Sequence, residues 1–320
     1  MKTNRIFKMM KLSSLSIYET ADTRHSLNKF ALCSRLTTVF IFALSSFIFI
    51  SCSQDEVLEQ DLMKDTPLTI ASADVAELTT RAITEGQLVG SVDENVSISV
   101  WVEGSADKYN ANNVEWVHNG TDWYSNSTVL YEGENKQKIC ALSPYVENAS
   151  AAGVTITADG TTDYLVASQT LITSNPVNII MSHALAKLVL NPTLGTVVTG
   201  ESIAKVEVKN MYVSGTLNIK ENSWSDQGEA TAALSMNKVN GNYEVLVIPM
   251  PSCQSFPMVI TMKSGRVFSA NISLANVDNK LESGTQYTIK LQIGQDEVTL
   301  GEITADSWGV PVDGGDLETE

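Results

Sequence analysis

The chain has 320 residues, with 21 basic and 37 acidic side chains and a formal net charge of −16 at pH 7. A surface of that sign repels phosphate backbones, so nucleic acid is excluded as an expected partner. Thr, Ser, Asn and Val are plentiful and there are only 8 prolines, a composition that suits exposed β-sheet better than helix or disorder.

From the N-terminus, the first marked feature is an apolar run, Leu36 to Ser51, with Lys29 and Arg35 before it and Cys52 at its end. Ser53, Gln54, Asp55 and Glu56 follow the cysteine. The run is too short to span a bilayer comfortably. It resembles a bacterial lipoprotein signal peptide, and the resemblance implies that residues 1–51 are removed and that Cys52 becomes an acylated first residue. Each buried methylene contributes about 0.8 kcal/mol, so more than one chain gives a stable membrane anchor. An uncleaved anchor helix or a buried core helix is the alternative. The part ahead of the apolar run is long, and Met9 or Met10 is an alternative start. Residues 1–51 hold two acids and seven bases, so the remainder carries 35 acidic and 14 basic residues, a net charge of −21. About 270 residues suffice for two domains.

Residues 52–81 read as an acidic tether or propeptide, with Asp55, Glu56, Glu59, Asp61, Asp65, Asp74 and Glu77 and no clear periodicity. Acidic residues directly after the cysteine also resemble the export signals that send some lipoproteins to the outer face of the outer membrane.

From Ala82 onward the patterns are those of strands. Val96, Ile98, Val100 and Val102 alternate with Asn95, Ser97, Ser99 and Trp101, placing the aliphatic set on one face. The same alternation recurs at Ala204, Val206 and Val208, and at Tyr287, Ile289, Leu291 and Ile293. Strands with one wet face belong to antiparallel sheets packed as sandwiches. Asn119-Gly120 and Asn240-Gly241 favour the positive φ angles of tight I′ hairpin turns, with Asp159-Gly160 and Ser264-Gly265 as further turn candidates. Roughly six or seven strands precede residue 195 and about as many follow it. Pro192, Gly195 and Gly200 cluster in Asn191–Gly200, so the expected architecture is all-β, with one β-sandwich over 82–195 and a second over 196–320. Outside the leader, the helical competitor is His183–Leu190, too short to persist.

Signs of chemistry are sparse. Cys140 and Cys253 sit in no metal-ligand spacing and read as buried free thiols rather than a disulfide. No HExxH, GxSxG, CxxC or P-loop pattern occurs, so neither an enzyme nor a cofactor is expected. His118 abuts a turn, and His183 reads as a packed strand histidine. Asp163 and the cluster Asp313, Asp316 and Glu318 lack calcium-loop spacing and read as solvated carboxylates. Trp101, Trp116, Trp123, Trp224 and Trp308 read as core or sheet-face residues, with a sugar-stacking platform as the alternative.

Several local blocks stand out in order: Ser51-Cys52-Ser53, Thr79-Thr80-Arg81-Ala82, Trp116 with Trp123-Tyr124, and Ile139-Cys140-Ala141-Leu142-Ser143-Pro144-Tyr145. Further on come Asp163-Tyr164-Leu165-Val166-Ala167, His183-Ala184-Leu185-Ala186-Lys187-Leu188, and Leu281-Glu282-Ser283-Gly284-Thr285-Gln286-Tyr287, followed by Ile303 and Trp308. In this order the blocks resemble the fimbrillin family, the pilus subunits and related surface lipoproteins of Gram-negative gut and oral anaerobes.

The resemblance implies two transthyretin-like sandwiches in tandem. It also implies a structural or accessory fimbrial subunit, anchored to the outer membrane through Cys52 and assembled with other fimbrial subunits by donor-strand exchange. A surface protease cuts such chains after an arginine. Here that maps to Arg81, with Ala82 as the new N-terminus, and Leu68–Val75 is the apolar segment that the cut would remove. Without a cut the segment stays paired, and the chain remains a lipid-anchored monomer or a pilus base. The tail from Gly309 to Glu320 is a poor donor strand, being rich in glycine and acid. Glu297–Ile303 is a donor only if it swings out, and it reads equally well as the last strand of the second domain. The competing reading is a monomeric lipid-anchored adhesin that binds glycans or proteins of host or bacterial surfaces.

Overall fold

The computed structural model describes residues 63–75, 96–195 and 201–308. The leader, Cys52, Arg81, Ala82 and the tail 309–320 lie outside the described residues. The first strands are β1 (Ile70–Val75), β2 (Val96–Glu103), β3 (Ala111–His118), β4 (Trp123–Tyr124), β5 (Lys138–Ser143), β6 (Val154–Thr157), β7 (Leu165–Leu171) and β8 (Val177–His183). Then come β9 (Ala186–Leu194), β10 (Ile203–Met211), β11 (Ser214–Asn218), β12 (Ser223–Ser225), β13 (Ala232–Ser235) and β14 (Asn237–Val239). The last are β15 (Asn242–Val247), β16 (Ser255–Met262), β17 (Val267–Ser273), β18 (Thr285–Ile293) and β19 (Val298–Ser307). Among the described residues the only helical elements are short 3-10 turns, so the protein is all-β as expected.

A seven-stranded sheet runs β1-β8-β7-β5-β2-β3-β4. Its two outer strands, β1 and β4, approach each other, so the sheet curls around an apolar core that includes Ile98, Val100, Val102, Trp116, Ile139 and Met181. The aliphatic set read from β2 forms part of that core. The expectation of one wet face per strand is corrected at β2, because Ser99 and Trp101 are buried on the opposite side. A three-stranded sheet, β12-β11-β6, contributes Val154, Ile156 and Leu217 to a second cluster with Trp101, Cys140, Leu142 and Val166. Covering both faces removes the polar half of the alternation.

A four-stranded sheet (β13-β10-β16-β17) and a five-stranded sheet (β14-β15-β9-β18-β19) enclose the remaining core. Val206, Val208, Met258 and Ile260 meet Leu188, Leu190, Tyr287, Ile289 and Leu291 there. Sheet membership changes between β8 and β9. The segment 183–190 thus ends one strand and begins another, and β9 lies parallel to β18 and antiparallel to β15. β6 likewise pairs with β11, across the expected division at residue 195.

Turn chemistry splits the two Asn-Gly dipeptides. Asn240 (φ +49°) and Gly241 (φ +91°) both take positive φ, and Val239 pairs with Asn242 across a two-residue turn, as the I′ reading requires. At the other hairpin only Gly120 is positive (φ +93°). There the Asn119 side-chain oxygen accepts the backbone N–H of Thr121 (3.0 Å) and of Asp122 (2.9 Å). That local capping bond holds Asn119 out of the I′ conformation and leaves a four-residue link.

Cys140 and Cys253 are buried free thiols. Burial pushes the Cys140 thiol up to about 11, which keeps it protonated and inert at neutral pH.

Candidate functional site

The segment before the Arg81 cleavage candidate is built into the curled sheet as a closing strip. Residues 65–68 bond to one side of the opening: Leu68 N–H donates to the Val129 carbonyl (2.8 Å), Tyr131 N–H to the Thr66 carbonyl (2.8 Å) and Asp65 N–H to the Tyr131 carbonyl (2.9 Å). The strip then crosses to the other side, where β1 runs parallel to β8 with Ile70, Ala73 and Val75 opposite Val177, Ile179 and Met181.

The sequence of the strip explains this placement. Leu68 and Ile70 keep a period of two, whereas Ala73 is three residues further on, and a bulge between Ile70 and Ser72 absorbs the extra residue. The shift returns Ala73 to the inner face. Leu68 (3% exposed), Ile70 (6%) and Ala73 (0%) are core residues of the curled sheet, with Val75 packed beside them. Burying side chains such as Leu68 and Ile70 contributes about 1.5–3 kcal/mol each.

β8 depends on this strip for its own backbone pairing. β7 meets β8 only at Ser182 and His183, whereas Val177 to Met181 have their ladder partner in β1. Removing the strip would leave a bare parallel edge beside an apolar slot, the geometry that β-strand addition requires.

Side chains fasten the first half of the strip. Asn175 Oδ1 accepts the Thr69 N–H (2.9 Å) and the Thr69 hydroxyl (3.1 Å), and Asn175 Nδ2 donates to the Pro67 carbonyl (2.9 Å). Just ahead of them Asp65 Oδ1 accepts from Lys108 Nζ (2.7 Å) and the Tyr109 hydroxyl (2.7 Å), and these bonds hold its carboxyl below the usual range. Opposite it, the buried Gln137 side chain bridges three backbone groups: it accepts from Glu132 N–H (2.7 Å) and donates to the carbonyls of Tyr109 (2.9 Å) and Leu130 (2.8 Å). Glu132 accepts from the Ser105 hydroxyl and N–H, and those bonds lower its pKa. Sequence reading singled out neither Asn175 nor Gln137. Asn175-Pro176 offered at most a turn signal, and a buried glutamine that staples a loop has no sequence pattern.

The other residues singled out by sequence reading take packing roles. Trp101, Trp116 and Trp123 are buried, and the half-buried Trp224 donates its indole N–H to the Ala184 carbonyl (3.0 Å). Trp308 stacks on His183 at 3.9 Å and 5°, and His183 Nδ1 lies 2.8 Å from Asp163 Oδ2. The five tryptophans thus form no open row. His118 is buried, its Nδ1 accepting the Gly120 N–H (3.2 Å). Glu297–Ile303 falls largely within β19, which pairs antiparallel with β18 from Val298 to Ser307.

A family model described as fimbrillin-like matches residues 80–308. Among solved structures, a proposed cell adhesion protein of Bacteroides ovatus is similar at 18% identity, with a TM-score of 0.60, over 77% of this chain and 99% of its own. A proposed cell adhesion protein of Bacteroides uniformis is similar at 16% identity, with a TM-score of 0.59, over 76% of this chain and 99% of its own. No curated protein matches the chain. At these identities the likeness establishes the fold, and the closing strip at 63–75 lies ahead of the span matched by the family model. On that span, which covers most of the sequence and ends at the Trp308 that stacks on His183, the chain belongs to the fimbrillin-like family.

Proposed function

We propose that this protein is a structural or accessory subunit of a fimbrium, exported as a lipoprotein acylated on Cys52 and displayed on the outer membrane. In this reading a cut after Arg81 frees the strip 63–75. The slot beside β8 then accepts a strand from another subunit, and assembly serves adhesion. The observation that carries the reading is the strip itself: an apolar, bulged strand ahead of the matched family span that supplies both core side chains and the ladder partner of β8. An incoming strand of similar alternation would restore both, with backbone bonds giving affinity and alternate side chains giving register.

N-terminal sequencing of high-mass surface fibres tests the proposal. Subunits that begin at Ala82 support it. Fibres whose subunits retain residues 63–75, or a protein recovered only as an acylated monomer, contradict it.

A further inference from the structure

A second edge of the molecule, far along the chain from the closing strip, is built to pair. We propose that β17 joins β17 of a second copy edge to edge, antiparallel about a two-fold axis at Ala270. Exposed strand edges are templates for association, and proteins blunt them by shortening them or by placing charge or proline on them. Five of the terminal strands of these sheets obey that rule. β4 has two residues, β12 and β14 have three each, and β6 and β13 have four each. β19 is long but carries Glu302 and Asp306. β17 has seven residues, Val267-Phe268-Ser269-Ala270-Asn271-Ile272-Ser273, with no charge and no proline, and among the described residues it pairs only with β16.

The strand is also self-complementary. Antiparallel pairing about Ala270 sets Phe268 against Ile272 on the core side, and Ser269 against Asn271 and Val267 against Ser273 on the solvent side. The pairs on the core side extend the apolar layer, since Phe268 and Ile272 already belong to the core between the two sheets. The charges flanking the strand are met within the chain: Arg266 donates to the Gln295 carbonyl and lies 4.0 Å from Glu201, and Asp278 lies 3.8 Å from Lys280. In a chain of net charge −16, an uncharged edge is where two copies approach with least repulsion.

Residues directly opposite in an antiparallel pair have Cα atoms about 4.5–5.5 Å apart, within the range a disulfide can bridge. The full-length Ala270→Cys variant, oxidised on intact cells with copper phenanthroline, is expected to run mainly as a covalent dimer on a non-reducing gel. Val267→Cys serves as control, because its symmetry mate lies about 20 Å away along the strand. It should yield at least ten-fold less dimer. Should Ala270→Cys disturb the half-buried position, the double variant Ser269→Cys, Asn271→Cys places the link on the exposed face and should give the same dimer. Absence of dimer in both variants, equal linking by Val267→Cys, or linkage to a different protein would overturn the proposal.

Discussion

The closing strip and the last strand are both terminal strands of their sheets, yet they are held in different ways. β19 is ten residues long and pairs antiparallel with β18 between Val298 and Ser307, with one register shift between Ile289 and Leu291 of β18, but of its side chains only Ile303 is buried. Its end is pinned by the Trp308 stack and by the Trp308 N–H bond to the Gly284 carbonyl (3.0 Å). The strip has a short parallel ladder interrupted by a bulge, but it places Leu68, Ile70 and Ala73 in the core. A strand held mainly by its ladder is an integral part of its sheet. One held mainly by side chains in a slot can be exchanged for any segment that offers the same side chains. The difference favours the strip over β19 as the strand released in the proposed assembly.

Truncating the strip's core residues should have the largest effect. Ile70→Ala is expected to cost about 2–5 kcal/mol in urea unfolding, whereas Leu300→Ala on β19, a half-buried position, should cost about 1 kcal/mol. Equal costs would erase the contrast between the two strands. Asn175→Ala removes the clamp on Thr69 and Pro67, leaves backbone groups unpaired, and should cost about 1–3 kcal/mol. Limited proteolysis should then cut within residues 63–75 faster than in the unaltered chain. Trp308→Ala loses a ring stack worth about 0.5–1.5 kcal/mol beyond its buried area. Amide exchange should quicken at Asp306 and Ser307 while β8 stays protected, and loss of protection at β8 would show that the two edges are coupled.

Acid should loosen the strip. Hydrogen bonds from Ser105 keep the Glu132 carboxyl below its ordinary value of 4.5, so the stabilisation is complete above that value and is lost as the pH falls through the lowered pKa. Glu132→Gln should flatten this acid-side decline in melting temperature, and an unchanged pH profile would remove Glu132 from the account.

Much of this was legible from residue order alone. The alternations at Val96–Val102 and Tyr287–Ile293 place the right residues in the cores, and the Asn240-Gly241 turn forms as its φ preferences demand. The alternation at β2 implied one wet face, because a pattern on one strand cannot reveal that a second sheet covers the side that carries Ser99 and Trp101. The apolar character of Leu68–Val75 was visible, but its partner was not: β1 pairs with a strand about a hundred residues away, and parallel pairing leaves no hairpin signal between them. The bulge hid the strip's alternation by one residue, so Ala73 and Val75 appeared out of phase with Leu68 and Ile70. Cys52 and Arg81 rest on resemblance and lie outside the described residues.

Hydrogen exchange on β8 tests the exchangeable strip most directly, measured in the intact chain, after trypsin cleavage at Arg81, and in assembled fibres. The amides of Val177 to Met181 should be protected in the intact chain, exposed once the strip leaves, and protected again when a neighbour's strand fills the slot. Protection that persists unchanged after cleavage and release of residues 63–75 would contradict the account, because β8 would then need no partner from the strip or from any other chain.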